Sequence, residues 1–422
     1  MLRSALLAAA ATALLLGLAL AQQPAASDKD TQLKLRGDRF PGILYEQMTP
    51  EQKSLADRAL AGRGAIGTFN IMLRSPELSE LIRGTSGTRT RTQLPPKQTE
   101  LGIIMNARYW TTQFEWLVHR QAAEQAGLSA ATTAAIRDGR VPTDLKPDEA
   151  PVYNFLRELL TTKQVSDPTF AAAKASLGEK GIVDLLAIVG FYHVTSLMMN
   201  VDRYPMANPS QVPELKPLAA PIPVAATQPQ SGPARFPTLA ANQMTPEQSA
   251  LAAKLQAGAI QGSTRGPYNA LLRSPELGEG ILRLGEYVRF RSPAPAKLNE
   301  LATLVTTRYW SSQFPFYAHH QAATQAGLAE PVIAAIAQGR RPQGLQPDEQ
   351  AVYNFTAELL KTSAVSDATF AAAKRTLGER GMVELMGIMG YYGLVSTIVN
   401  TDRYPLPDGV APELPALARP LP

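Results

Sequence analysis

Two side chains that could exchange a proton lie four residues apart in the stretch QFEWLVHRQAAEQAGL, which begins at Gln113. They are Glu115 and His119, and residues at this spacing share one face of a helix, so the carboxylate can contact the imidazole. A neighbouring carboxylate orients the ring and raises its pKa, which gives a proton donor and acceptor that works near neutral pH. The spacing therefore predicts a general acid–base pair.

A third candidate is Glu100, which begins the stretch ELGIIMNARYW. If one straight helix ran from Glu100 to His119, the two would lie nearly 30 Å apart at about 1.5 Å per residue. They can meet only if the chain turns back between them. The adjacent β-branched residues Thr111 and Thr112 favour a break there. We therefore expect two helices joined by a turn that brings Glu100 to His119.

The elements that must position these residues occur twice in the chain. LRSPEL, RYW, VYNF and DRYP each return in the second half, and from Arg108 onward the offset is a constant 200 residues. The chain is therefore predicted to contain two homologous domains. We assign 1–21 as a signal peptide, 36–205 as repeat 1, 206–233 as a Pro/Ala-rich linker, 234–405 as repeat 2 and 406–422 as a Pro-rich tail.

Each repeat has the pattern of an all-α fold. Thr49-Pro50-Glu51-Gln52 combines an N-cap, a proline at the first helical position and a capping-box glutamine. GEKGIVDLLAIVGFYHVTSLMMN is apolar on nearly every side, which is typical of a helix at the centre of a bundle or in a subunit interface. Alternating strand patterns and Asn-Gly hairpins are not found in the sequence.

The second copy of the opening stretch is altered. QFPFYAHHQAATQAGL keeps His319, and Glu300 matches Glu100, but Pro315 stands where repeat 1 has Glu115. A proline in the middle of a helix removes a hydrogen bond and tends to kink the helix. Glu300 and His319 are therefore interpreted as a degenerate second site.

Composition and the N-terminus limit the classes of protein to consider. Arg3, a run of Ala and Leu, and Ala19-Leu20-Ala21 fit a cleaved secretory leader, which predicts a soluble protein in the bacterial periplasm. No later stretch is read as long enough to span a bilayer. The net charge of +5 is spread along the chain, which argues against nucleic-acid and membrane partners. The absence of cysteine excludes disulfides and thiol chemistry.

The residues resemble the carboxymuconolactone decarboxylase family, whose fold is the AhpD-like helical bundle, over almost the whole of both repeats. The matching stretches are Glu100, RYWTTQFEWLVH, AAEQAGL, DEAPVYNFLRELL and VSDPTF followed by LGEKGIVDLLAIVGFYHV. The resemblance implies an all-α subunit that forms homo-oligomers such as trimers. It also implies one of two activities, because the family contains cofactor-free lactone decarboxylases and thiol-dependent alkylhydroperoxidases.

The residues carried over separate those two activities. The peroxidases use a Cys-x-x-Cys pair whose positions fall here on Thr112 and Glu115. A chain without a thiol cannot run that chemistry. The resemblance therefore implies a cofactor-independent lyase that acts on a small lactone or unsaturated acid. His119 with Glu115 would be the general acid or base, and Glu100 would orient the ring.

The resemblance and the composition also suggest residues for binding. Arg89 or Arg91 would hold a substrate carboxylate, and Trp116 and His193 would line the pocket. If His193 points at His119, the four acid and imidazole groups could instead hold zinc or another divalent ion. A different class of function remains open, in which the protein is a non-catalytic secreted helical oligomer that binds a small hydrophobic acid or is structural. In that case the Glu115–His119 pair fixes helix packing.

Overall fold

The computed structural model describes residues 27–62, 67–86, 91–206, 213–217, 232–258 and 266–416. Within these ranges every regular element is a helix and no strand occurs, so the all-α prediction is confirmed. The signal peptide assigned to residues 1–21 lies outside the described residues, as does most of the linker. The assignment to the periplasm therefore stays a prediction.

Equivalent helices follow one another in the two halves of the chain. Those of the first half are α1 (Asp28–Leu33), α2 (Pro50–Ala61), α3 (Phe69–Met72), α4 (Pro76–Ser86), α5 (Pro96–Tyr109), α6 (Gln113–Gln125), α7 (Ala130–Arg137), α8 (Ala150–Thr162) and α9 (Asp167–Asp202). Those of the second half are α10 (Pro246–Ala257), α11 (Tyr268–Leu271), α12 (Pro275–Phe290), α13 (Ala296–Tyr309), α14 (Gln313–Gln325), α15 (Glu330–Ala337), α16 (Pro347–Thr362) and α17 (Asp367–Asp402). Single 3₁₀ turns occupy Tyr45–Gln47 and Ala241–Gln243.

The predicted capping box at the start of α2 is present. The Thr49 side chain accepts a hydrogen bond from the backbone N–H of Gln52, and the Gln52 side chain accepts one from the backbone N–H of Thr49. Thr245 and Gln248 repeat the arrangement at the start of α10. The two boxes satisfy backbone donors that the first helical turn leaves without partners.

The core is built around α9 and α17, which pack against each other. Each is interrupted once by a glycine with positive φ, Gly178 at 68° and Gly378 at 66°. Only glycine adopts this left-handed conformation without a steric penalty from Cβ. The apolar part of each helix that follows its glycine is almost wholly buried.

From the sequence we expected that no stretch after the leader would be long and apolar enough to span a bilayer. For α9 and α17 this expectation is wrong. Both helices, Asp167–Asp202 and Asp367–Asp402, are long and apolar enough to do so. However, 94% and 100% of their most apolar windows are buried within the protein. The central position of the two helices in the fold accounts for their apolar character.

The two repeats contact each other through reciprocal pairs. Arg74 forms an ion pair with Glu379, and Arg273 forms the equivalent pair with Glu179, both at 3.0 Å. The Ser274 hydroxyl donates to the buried Asp184 at 2.6 Å, and the Ser75 hydroxyl donates to the buried Glu384. An interface in which each side gives and receives the same contacts is isologous, as in a two-fold dimer.

The boundaries of compact units do not fall between the repeats. Residues 36–41 and 66–422 form one unit, and residues 1–35 and 42–65 form another. The first of these contains the paired helices α9 and α17 together with the helices of both repeats that pack on them. The reciprocal contacts explain why most of repeat 1 belongs to the same unit as repeat 2.

Candidate functional site

The turn predicted between Glu100 and His119 is present and is formed by one residue with unusual backbone geometry. Thr111 has φ of 54°, in the left-handed region, and the N–H of Thr112 donates to the carbonyl of Ala107 at 2.8 Å. Ser311, the equivalent residue of repeat 2, has φ of 49°. The left-handed residue ends α5 and lets α6 run back along it.

His119 lies between two carboxylates. Its Nδ1 is 2.7 Å from Oε2 of Glu100, and its Nε2 is 3.4 Å from Oε2 of Glu115. The three side chains are only 4–7% exposed. Burial opposes the charged form of the ring, but the hydrogen bonds to Glu100 and Glu115 outweigh it and raise the pKa of His119. The three residues therefore converge, as the predicted turn requires, but in a nearly enclosed position, whereas the catalytic interpretation requires a solvent-connected cavity.

The geometry divides the roles of the two carboxylates. Glu100 makes the shorter contact and holds the ring through Nδ1, while the longer distance from Glu115 leaves Nε2 less tightly bound. The Tyr192 ring stands perpendicular to the imidazole with centroids 4.9 Å apart and fixes its orientation. An imidazole held in this way can take up and release one proton at Nε2. Sequence reasoning missed Tyr192, although tyrosine recurs at the equivalent Tyr392.

Two surface grooves lie away from this group. One of about 620 Å³ runs along α8 and the start of α9 and is lined by residues that include Asn154, Glu158 and Thr169. The equivalent groove in repeat 2 has about 430 Å³ and is lined by residues that include Asn354 and Glu358. Glu100, Glu115 and His119 line neither of them. With side chains that are only 4–7% exposed, these three residues form a compact, nearly enclosed group.

The residues expected to bind substrate make other contacts or lie outside the described residues. Arg91 is exposed and donates to the backbone carbonyl of Gly84. Trp116 is buried, and its indole N–H donates to Glu214 at 2.9 Å. The structure does not describe Arg89. Arg91 and Trp116 thus have structural contacts that sequence spacing could not anticipate.

His193 does not join His119, contrary to its suggested place in the pocket. Its Nδ1 accepts a hydrogen bond from the indole N–H of Trp110 at 2.8 Å, and its ring lies against that of Trp310. A Cβ at Gly393, the equivalent position of repeat 2, would come within 3.3 Å of His193. Burial, with a smaller effect of Lys163, lowers the pKa of His193 to about 3. His193 is therefore a neutral residue in the packing between the repeats.

The four-residue metal set considered from the sequence is not assembled. His193 contacts Trp110 and Trp310 rather than the glutamates. In the part of the chain that the structure describes, no group of three or more His, Asp or Glu residues is arranged to hold a metal ion.

A buried lysine lies beside His193 between the repeats. Lys163 is 1% exposed, and its ammonium nitrogen is 4.3–4.8 Å from the ring centroids of Trp310, Tyr109 and Tyr309. It donates to the Tyr109 hydroxyl and, at 2.7 Å, to the carbonyl of Leu160, and no described carboxylate forms an ion pair with it. Burial places the pKa of Lys163 well below its ordinary value.

Lys163→Met should stabilise the protein by at least about 1 kcal/mol at neutral pH, because burial disfavours the charged lysine that the unfolded chain carries. The unfolded chain binds that proton up to its ordinary pKa of 10.5. Stability of the wild type should therefore rise with pH toward that value, and the variant should lose this part of the slope. Urea unfolding at about pH 7 and pH 9 measures both effects. Lys174→Met, at a half-exposed lysine paired with Glu179, is the control and should change stability by less than about 0.5 kcal/mol.

In repeat 2 the histidine keeps one of its two acids. Nδ1 of His319 is 2.6 Å from Oε2 of Glu300, and the Tyr392 ring stands against the imidazole as Tyr192 does in repeat 1. The expectation that Pro315 would disturb the helix is wrong. α14 and α6 have equivalent bounds, because Pro315 lies in the first turn, where backbone N–H groups have no partner within the helix.

Short pieces of the linker and the tail dock on the repeats, which the sequence analysis did not foresee. The Gln113 side chain donates to the carbonyl of Leu215 at 2.6 Å and accepts from its N–H at 3.0 Å. Gln313 and Leu414 repeat both bonds at 2.7 and 3.1 Å. Each leucine follows a Pro-Glu pair, so the recurrence of PEL was the available signal.

Comparison with models of protein families, with curated proteins and with solved structures finds no match to this chain. The likeness to the carboxymuconolactone decarboxylase family therefore rests on the motifs quoted above and stays a prediction. The geometry of Glu100, His119 and Glu115 stands independently of it.

Proposed function

We propose that repeat 1 carries a cofactor-independent lyase activity toward a small lactone or unsaturated carboxylic acid, with His119 as the general acid–base group. The observation that supports the proposal is the position of His119 between Glu100 and Glu115. A turn at a left-handed threonine brings these residues together from separate helices. A buried histidine whose pKa is raised by adjoining carboxylates is typical of sites of proton transfer.

The proposed reaction uses one proton at Nε2 of His119. When the substrate loses carbon dioxide, the electron pair of the broken C–C bond passes into a delocalised enolate. The imidazolium of His119 then delivers its Nε2 proton to the enolate carbon, and the neutral ring regains a proton from solvent. Glu100 keeps the ring oriented through Nδ1, and Glu115 stabilises the charged form.

A second candidate function follows from the burial of the same group. Side chains that are 4–7% exposed suit a buried ion pair that fixes α6 against α5. In this case the protein is a non-catalytic helical oligomer that binds a small hydrophobic acid or is structural. Export to the periplasm and homo-oligomerisation belong to both proposals.

The experiment is a turnover screen of the purified protein against lactones and unsaturated carboxylic acids, with His119→Gln and Glu115→Gln alongside. We expect the wild type to turn over at least one compound. Each variant should be slower by about 10²-fold or more, because general acid–base catalysis contributes about 10²–10⁴-fold. Circular dichroism establishes that the variants are folded.

His320→Gln is the matched control, because it changes a histidine of α14 that pairs with Glu330 and Glu413 rather than with Glu300. It should leave turnover unchanged. Turnover that survives in folded His119→Gln and Glu115→Gln would contradict the catalytic proposal. Ligand stabilisation without turnover, equal in wild type and variants, would favour the second candidate.

A further inference from the structure

The difference between the two histidine sites suggests what repeat 2 can bind. In repeat 1 the Glu115 carboxylate lies beside Nε2 of His119 at 3.4 Å. In repeat 2 Pro315 takes the place of Glu115 and has no polar side-chain atom. His319 keeps its bond from Nδ1 to Glu300, and Nε2 makes no hydrogen bond within the described residues. Repeat 1 therefore has a carboxylate beside Nε2 of its histidine, and repeat 2 has none at the equivalent position.

A second polar atom without a partner belongs to the ring that packs on His319. The Tyr392 ring is perpendicular to the imidazole with centroids 4.7 Å apart, and the residue is 3% exposed. Its hydroxyl is buried and forms no hydrogen bond. A buried hydroxyl without a hydrogen-bond partner destabilises the folded protein, and a bound acceptor would remove this destabilisation.

The charges around His319 are suited to one added negative charge. The Glu300 carboxylate contacts Nδ1 of His319 at 2.6 Å. Arg289, on the last turn of α12, lies in the electrostatic field of Tyr392 and Glu300, which raises its pKa against the opposing effect of burial. The guanidinium adds a positive charge near Tyr392 and Glu300, which favours an anion there.

Access also differs between the repeats. The Glu300 side chain is 18% exposed, compared with 4% for Glu100. His319 itself is only 6% exposed, so a ligand beside it must be small. A short monocarboxylate suits these limits better than a bulky acid.

We propose that repeat 2 binds a short monocarboxylate, whose oxygens occupy the position that the Glu115 carboxylate takes in repeat 1 and accept hydrogen bonds from His319 Nε2 and Tyr392 Oη. This second site does not depend on catalysis in repeat 1. The sequence predicted a degenerate site because Glu115 is replaced, but it did not show the two donors, His319 Nε2 and Tyr392 Oη, that remain without a described partner.

Acetate tests the proposal by NMR of protein labelled with ¹⁵N in histidine, which shows only four imidazoles. The titration is run at about pH 6, where a doubly protonated ring can donate from Nε2, and chloride keeps the ionic strength constant. We expect the His319 signals to shift saturably, while those of His119, His193 and His320 do not. His→Gln variants assign the four signals.

Pro315→Glu and Pro315→Ala form the matched pair of variants. The glutamate should fill the site, as Glu115 does in the equivalent helix of repeat 1, and weaken acetate binding by about tenfold or more. Alanine should leave binding intact, and Tyr392→Phe should weaken it about fivefold. The proposal is overturned if His319 shows no saturable shift in the wild type. Equal binding by the glutamate and alanine variants would overturn it as well. If Pro315→Glu fails to fold, the comparison of Tyr392→Phe with wild type decides.

Discussion

Gly390→Ala should lower the free energy of unfolding by about 3 kcal/mol, the upper end of the usual range for overpacking. An added Cβ would lie 2.4 Å from Cγ2 of Val194 and 2.9 Å from its Cα, where α17 crosses α9. A change of rotamer can move the methyl group but not the Cα, so the helices must separate. Gly190 faces Leu394 in the reciprocal position, where a Cβ would meet the leucine Cβ at 2.7 Å. Chemical unfolding in urea measures the loss.

Gly84→Ala is the control for the general effect of replacing a helical glycine. It lies within α4, is exposed, and a Cβ there would meet nothing within 4 Å. Higher helix propensity should make this variant more stable by about 0.5–1 kcal/mol. A Gly390→Ala protein as stable as wild type would mean that α9 and α17 do not approach as closely as described.

The same experiment tests whether the repeats unfold together. Residues 36–41 and 66–422 form one compact unit that spans both repeats. A weaker contact where α17 crosses α9 should therefore shift one cooperative unfolding transition rather than split it into two. Two resolved transitions in Gly390→Ala would show that each repeat remains folded when the contact between them is weakened.

The features that the sequence predicted are those set by local chemistry. The capping box of Thr49 and Gln52, and the break before Gln113, depend on a few neighbouring residues. The spacing of Glu115 and His119 is likewise a property of one helix. Once the break was placed correctly, the contact between Glu100 and His119 followed from the geometry of two helices joined by a turn.

The features that the sequence did not predict depend on contacts between distant segments. His193 could face His119 or the other repeat, and only the packing of α9 against α17 decides between them. The role of Trp116 depends in the same way on the docked Glu214, 98 residues further along the chain. Pro315 was misjudged because its position within the helical turn, rather than its presence in a helix, decides its effect.

His119→Ala should lower the free energy of unfolding by about 3–5 kcal/mol, because it removes the imidazole from contact with two buried carboxylates. Glu100 and Glu115 would each lose this ring as a partner, which disfavours their charged forms. The folded variant should take up a proton that the unfolded chain does not need, so it should gain stability as the pH falls and lose it as the pH rises. Urea unfolding at about pH 5 and pH 8 measures this slope.

Repeat 2 supplies the comparison that separates charge from lost packing. His319→Ala removes the same side chain from an equivalent helix but leaves one carboxylate, Glu300, which is 18% exposed. It should cost only about 1–2 kcal/mol. Glu115→Gln added to His119→Ala should recover at least about 1 kcal/mol, because it removes one of the facing charges. If His119→Ala and His319→Ala cost the same and show the same pH slope, the two acids around His119 do not act as a charged group.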